Sequence, residues 1–386
     1  MTHKRSPAFA LGAIFATTIL ALSAPAGAKS MVEQWLDGEL AQAGPKLAYQ
    51  GKPITVRIST FLGAGNPLTS VWARAVKRLD AEVGGKIRVK IFYGNSLADA
   101  QRGAFEAVAS GVADVSSCYS FINPGFFDLQ LGLRLPFLFE STTVGSHAIL
   151  QIYPQYFKKK FESNGVLFAR STVTPPNQIL SRDRPIKVLE DLKGRKVGGN
   201  VQPQFIRALG ATPVALTVPE YYTGFQTGVV DTMAMHDAGL KLFRMIELTK
   251  FRTLANLSSV AIEYCMNKDF FLGLPRDVRE VFHVWLMRLN HAEAEVYFDN
   301  VSEIGRRDAA KAGIQTYTLP KHEYARWVAA VQPGIDAWVK EMEGKGLPAR
   351  QMLSDLKAKI AELARLSHDA LFKKIYTAPY PGLVDY

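Results

Sequence analysis

Apolar and polar residues alternate around Ile54, Val56 and Ile58, and again around Ile87, Val89 and Ile91, the period-two mark of a strand. Between these runs the apolar positions change period. Leu68, Val71, Trp72, Ala75, Val76 and Leu79 recur at helical spacing, predicting a helix over 67–83 that Gly84-Gly85 ends. Strand, helix and strand in that order close most simply as a parallel pair. The pattern continues with a helix over 104–110 and a strand over 112–118. Residues 166–169 and 196–199 read as strands of a second α/β domain, with a helix over 202–209. One long helical pattern covers 275–311: Pro275 suits a first turn, and Val278, Phe282, Trp285, Leu286 and Leu289 share a face. A helix-rich tail follows over 321–374, and a polar amphipathic lead over 29–52 reads as a helix and linker.

The chain has 386 residues, 48% of them hydrophobic, enough for a sizeable core and two domains. Residues 1–28 carry the marks of a secretory signal: basic His3, Lys4 and Arg5, an apolar run over 8–22, and the small residues Ala26-Gly27-Ala28. That run is short for a bilayer span, and no later stretch approaches the roughly 18 apolar residues a spanning helix needs. The mature protein is therefore expected to be soluble and exported. Net charge is +11, or +9 once Lys4 and Arg5 are removed. The basic residues are scattered. Their densest run, Lys158-Lys159-Lys160, lies among Tyr156, Phe157 and Phe161 and reads as a solvated helix side, not a nucleic-acid surface. Cys118 and Cys265 could pair in an oxidising compartment, although each sits in an apolar context that also suits a buried thiol. No Cys or His pair has metal-ligand spacing, and no HExxH, GxSxG or P-loop pattern occurs. Neither a metal, a cofactor nor an enzymatic reaction is expected.

Four motifs then stand in a fixed order: LPFLF at 135–139, DLKG at 191–194, LGATPV at 209–214 and PEYYTGFQTGVVD at 219–231. Together they resemble the substrate-binding proteins of TRAP transporters, the DctP-like group, over residues 53 to about 320. The resemblance implies an α/β, two-domain periplasmic binding protein fold with an interdomain ligand cleft and a long helix spanning both domains. It divides the chain into a first domain at 53–168 with a return segment near 232–270, and a second domain at 169–231 with parts of the C-terminal region. The interdomain helix is then 275–311, and a C-terminal helical region covers 321–386.

The same resemblance locates a site and changes its chemistry. In the group the DLKG motif usually runs on as DLKGLKIRV, and the arginine grips the carboxylate of an organic acid; here that register holds Gly198. The asparagine after the first strand falls at Phe61 and the acidic position after Asp114 at Tyr119. An auxiliary arginine falls at Gln178, an asparagine after the VVD turn at Met235, and a ligand-packing aromatic at Val218. Phe121, Asn200 and His236 complete the candidate set. A carboxylate brought into a cleft needs charge-assisted hydrogen bonds, which glycine and methionine cannot supply. Phe, Tyr and Met instead favour apolar surface, and methionine adapts to irregular shapes. Arg170, Arg182 and Arg184 are candidate replacement clamps, but Ser181 and Asp183 around the latter two fit a solvated turn.

The resemblance thus implies a receptor that closes around a small, apolar or amphipathic molecule and delivers it to the small and large integral membrane subunits of a TRAP transporter. A non-transport carrier or sensory receptor for a lipid-like ligand is the alternative, as is an organic-acid binder with a relocated arginine.

Overall fold

A computed structural model describes residues 29–99, 103–123 and 125–386; the expected signal at 1–28 lies outside them. Two sheets organise the chain. The first has the order β2-β1-β3-β10-β4, built from Ile54–Ser59 (β1), Ile87–Phe92 (β2), Val115–Ser117 (β3), Val166–Val173 (β4) and Ala261–Asn267 (β10). The second has the order β11-β9-β5-β8-β6-β7, from Gln178–Ser181 (β5), Lys196–Gly199 (β6), Thr212–Pro213 (β7), Thr232–Met235 (β8), Phe251–Leu254 (β9) and Gln315–Thr318 (β11).

The strand–helix–strand start forms as its periodicity requires. Strands β1 and β2 pair in parallel from Ile54↔Ile87 to Ser59↔Phe92. The helix Pro67–Val83 between them is capped by Asn66, whose side chain accepts from the Leu68 N–H at 2.9 Å, and it stops at Gly84 in the left-handed region. Its Val71, Trp72, Ala75 and Leu79 are buried as one stripe.

Two expectations need correction. The strand read at 166–169 was assigned with 196–199, but β4 lies in the first sheet. It pairs antiparallel with β10 over its length, and all eight of its residues are buried. A strand apolar on both faces belongs in the interior of a layered domain, and its pattern alone does not say which. A division at 168 would cut through it. The long helical pattern also differs in its middle. It runs as an α-helix over Arg276–Ala292, widens to a π-helix over Glu293–Asp299, and resumes as an α-helix over Asn300–Lys311. Such widening turns side chains to faces that α periodicity does not assign.

The two sheets are joined by this helix and by two adjacent crossovers, 174–177 from β4 to β5 and 255–260 from β9 to β10. The crossovers hold each other: Asn177 N–H donates to Ser258 O at 2.8 Å, Leu257 N–H to Asn177 O at 2.9 Å, and Thr174 N–H to Val260 O at 2.9 Å. Cys118, just past the end of β3, and Cys265, within the neighbouring β10, form a disulfide. Helices Lys321–Gly344 and Ala349–Leu363 pack over the outside, where Trp338 and Met352 crowd Gly132.

Candidate functional site: a cavity between the two sheets

A cavity of about 180 Å³ lies where the two sheets face each other. From the first sheet and its loops come Phe61, Leu62, Tyr119, Phe121, Ile262 and Tyr264. From the second come Asn200, Val218, Tyr221, Ala234, Met235 and His236. The crossovers contribute Thr174, Asn177 and Val260, and the π-helix contributes Tyr297 and Phe298.

Of the residues expected from sequence, Phe61, Tyr119, Phe121, Asn200, Val218, Met235 and His236 border this one space. Gln178 and Gly198 do not. Gln178 is buried in the hinge: its Oε1 accepts from the N–H groups of Ala255 and Asn256 at 2.9 and 3.1 Å, and its Nε2 donates to Asn256 Oδ1 at 2.7 Å. It fixes the crossover, which holds Asn256 at φ 46°. At Gly198 an added Cβ would stand 2.9 Å from Met233 Sδ, 3.0 Å from Leu216 Cδ1 and 3.2 Å from Val230 Cγ1. That position faces the core of the second sheet, so the missing side chain opens no volume toward the cavity. Asn123, beside the first-sheet wall, is likewise structural and donates to Tyr119 O at 3.1 Å.

The walls are aromatic and mutually fixed. Tyr119 stacks on Phe121 with centroids 5.3 Å apart and planes 6° apart, and it meets Tyr264 edge-on at 6.5 Å. Burial raises the hydroxyl pKa of both tyrosines above its ordinary value, so both stay neutral. His236 packs edge-on against Phe298 at 5.9 Å. Burial pushes its imidazole down to about 4 against the pull of Asp237, and its Nδ1 has no partner, so it presents a neutral polar atom.

The charges around this space are mostly closed into pairs. Arg170, proposed from sequence as a replacement clamp, donates to Glu293 at 2.6 Å and lies over the Tyr264 ring at 3.8 Å from its centroid. Arg252 grips Asp237 with two bonds of 2.8 and 2.6 Å. Arg182 donates to the carbonyls of Phe225 and Gln226, away from the lining. No cluster of His, Cys, Asp or Glu suited to a metal ion occurs among the described residues, and none of their helices is long and apolar enough to cross a membrane.

Tyr221, Tyr264, Tyr297 and Phe298 escaped the sequence reading. Tyr264 carried one usable signal: it precedes Cys265, as Tyr119 follows Cys118, so the two cysteine segments meet with both tyrosines toward one space. Tyr297 and Phe298 carried none, because the π-helix changes the phase that would have oriented them.

Comparison with known proteins places this arrangement. The family model for bacterial extracellular solute-binding proteins, family 7 (DctP), matches residues 58–341. A Comamonas testosteroni protein called outer membrane transporter protein TsaT is 24% identical over 326 residues, covering 82% of this chain and 94% of that protein. The C4-dicarboxylate-binding periplasmic protein DctP of Rhodobacter capsulatus is 23% identical over 320 residues, 80% of this chain and 93% of its own. Among solved structures, a marine metagenome TRAP solute binding protein specific for aromatic acid ligands, in complex with 3-hydroxybenzoate, superposes with a TM-score of 0.73 at 22% identity, covering 81% of this chain and 99% of that one.

Proposed function

Because the chain belongs to the DctP-like, family 7 solute-binding proteins of TRAP transporters, we propose that it is a periplasmic receptor whose cavity takes a one-ring apolar or amphipathic solute. The observation that carries this reading is the size and lining of the cavity. An apolar cavity of roughly 150 Å³ is enough to hold benzene, and this partly open cleft measures about 180 Å³ between Tyr119, Phe121, Tyr264 and Phe298. Each 100 Å² of apolar solute surface withdrawn from water contributes about 2.5 kcal/mol. Rings at these separations add edge-to-face or stacking contacts. The 3-hydroxybenzoate held by the marine relative has a body of the same kind.

The two sheets would act as two lobes, hinged at 174–177, 255–260 and the π-helix, and close on the solute before a TRAP membrane subunit pair takes it up. Such a receptor is a binder and needs neither metal nor cofactor. The order of elements supports this division; the family supports the partner. Export to the periplasm rests on the leader pattern at 1–28 together with the family.

The test is direct. Protein purified from its exported form is denatured and extracted, and the extract is analysed by mass spectrometry. A one-ring solute, present in stoichiometric amount and displaced by excess 3-hydroxybenzoate, is the expected result. Recovery of a small aliphatic dicarboxylate or a sugar acid instead would overturn the reading.

A further inference from the structure

Among the described residues, no Arg, Lys, Asp or Glu borders the cavity. The guanidiniums around it are committed elsewhere. Arg170 is bonded to Glu293 at 2.6 Å and Arg252 to Asp237 at 2.6 Å. Arg134 lies over the Phe121 ring, off the lining, and donates to the carbonyl of Asn200 at 3.2 Å. An acid group carried into this space loses its water and meets no cation, and uncharged donors offset that loss only in part.

The wall itself also disfavours negative charge. Glu293 holds Arg170 and Trp72 through Oε2, while its Oε1 is buried without a partner. Burial raises the hydroxyl pKa of Tyr119, Tyr264 and Tyr297, and the charge of Glu293 raises all three further. These three rings border the cavity. A surface that resists forming a phenolate resists the carboxylate of a solute for the same two reasons, lost hydration and a like charge behind the rings.

What the lining offers instead is neutral. Tyr221, from the helix Tyr221–Thr227, and Tyr297, from the π-helix, border the cavity from different elements. Neither hydroxyl has a hydrogen-bond partner among the described residues, and neither is sealed in the interior as His236 Nδ1 is. Burial pushes the Tyr221 hydroxyl up to about 12, so it keeps its proton. A phenol donates one hydrogen bond and accepts others. An apolar ring leaves both hydroxyls unspent, whereas a ring with a neutral hydroxyl or carbonyl group pairs with them.

We infer that the cavity selects an uncharged ring solute bearing a hydroxyl or carbonyl group, with the hydroxyls of Tyr221 and Tyr297 as its partners, and that the corresponding acid enters only weakly. This rests on the one-ring reading of the cavity and adds to it a rank order of solutes and the two side chains that set it. The acid bound by the marine relative is then a guide to the shape of the solute and not to its charge.

Calorimetric titration of the purified mature protein with three ligands of one shape tests it: 3-hydroxybenzyl alcohol, 3-hydroxybenzoate and m-xylene. The alcohol is expected to bind at least tenfold more tightly than the acid and more tightly than m-xylene. Tyr297→Phe combined with Tyr221→Phe keeps both rings and removes both hydroxyls; it should weaken the alcohol about tenfold and shift m-xylene by less than threefold. Each single variant serves should the double one fail to fold, and at least one of them should weaken the alcohol threefold or more. A margin over the acid below tenfold, an alcohol no tighter than m-xylene, or an alcohol affinity untouched by these variants overturns the inference while the cavity reading stands. Binding of none of the three ligands removes both.

Discussion

Arg170 and Glu293 form a closed pair in the interior: the guanidinium and carboxylate meet at 2.6 Å, and both side chains are almost wholly withdrawn from solvent. Trp72 Nε1 donates to the same carboxylate oxygen at 3.0 Å, while Arg170 rests on the ring of Tyr264, a wall of the cavity. Charge behind that wall is thus spent within the protein. Breaking one half leaves an uncompensated buried charge, which costs about 3–5 kcal/mol, whereas replacing both halves by apolar groups of similar volume is often close to neutral. Glu293→Gln should therefore lower the urea unfolding free energy by about 3 kcal/mol or more, and Arg170→Met with Glu293→Leu should recover most of it. A double variant as unstable as the single one would show that the pair does more than neutralise itself.

Restoring an arginine at 198 should not restore a clamp. The Cβ of any residue there would press on Met233, Leu216 and Val230, and overpacking of this kind costs about 1–3 kcal/mol before the burial of a charge is counted. Gly198→Arg is expected to melt well below the parent and to gain no affinity for 3-hydroxybenzoate. A stable, acid-binding variant would mean that this strand turns its residue 198 into the cavity when the side chain is present.

That case marks how far the sequence could be read. Strands β1 and β2 and the helix between them followed from period alone, because each has one buried face and one wet face. Strand β4 did not, because a segment buried on both faces carries no direction, so its sheet had to come from contacts with β10. Register with the family brought Phe61, Tyr119 and Met235 to the cavity, since the first two follow β1 and β3 and the third ends β8, strands that the fold aims at the cleft. It missed at Gly198, which faces the second core, and at Gln178, whose amide serves the hinge.

The disulfide should matter to the site as well as to stability. Cys118 and Cys265 adjoin Tyr119 and Tyr264, two walls of the cavity, and the link spans 147 residues of sequence. Closing so long a loop constrains the unfolded chain, and removal of a native disulfide commonly costs about 2–5 kcal/mol. Cys118→Ala with Cys265→Ala should lower the melting temperature measurably and weaken binding of 3-hydroxybenzoate. Unchanged melting in dithiothreitol, with full reduction confirmed by thiol titration, would contradict this.

Acid should destabilise the protein through its buried histidines, and His283 isolates the effect. Only 1% of its surface is exposed, Nε2 has no partner, and burial lowers its imidazole from 6.5 to about 3. The unfolded chain therefore binds a proton that the folded chain refuses between those values. Stability is full above pH 6.5 and falls as pH drops through the window, by about 1.4 kcal/mol per pH unit for this group. At pH 5 the loss is about 2 kcal/mol. His147 and His291, hydrogen-bonded to each other at 2.8 Å, are both lowered by burial and act in the same direction. Glu263 and Asp299 oppose them: burial raises their carboxyls to about 7 and about 6, so the folded chain takes up protons there before the unfolded one does. Urea unfolding of the parent at pH 7 and pH 5 gives the net of these opposing terms, and the variant isolates one of them. His283→Leu forfeits the contact with the Tyr386 hydroxyl at both pH values, so the informative quantity is the difference between them, which should shrink by about 2 kcal/mol relative to the parent. An undiminished difference would mean that His283 gains its proton in the folded state, and that the imidazole is better solvated than its packing against Phe271 allows.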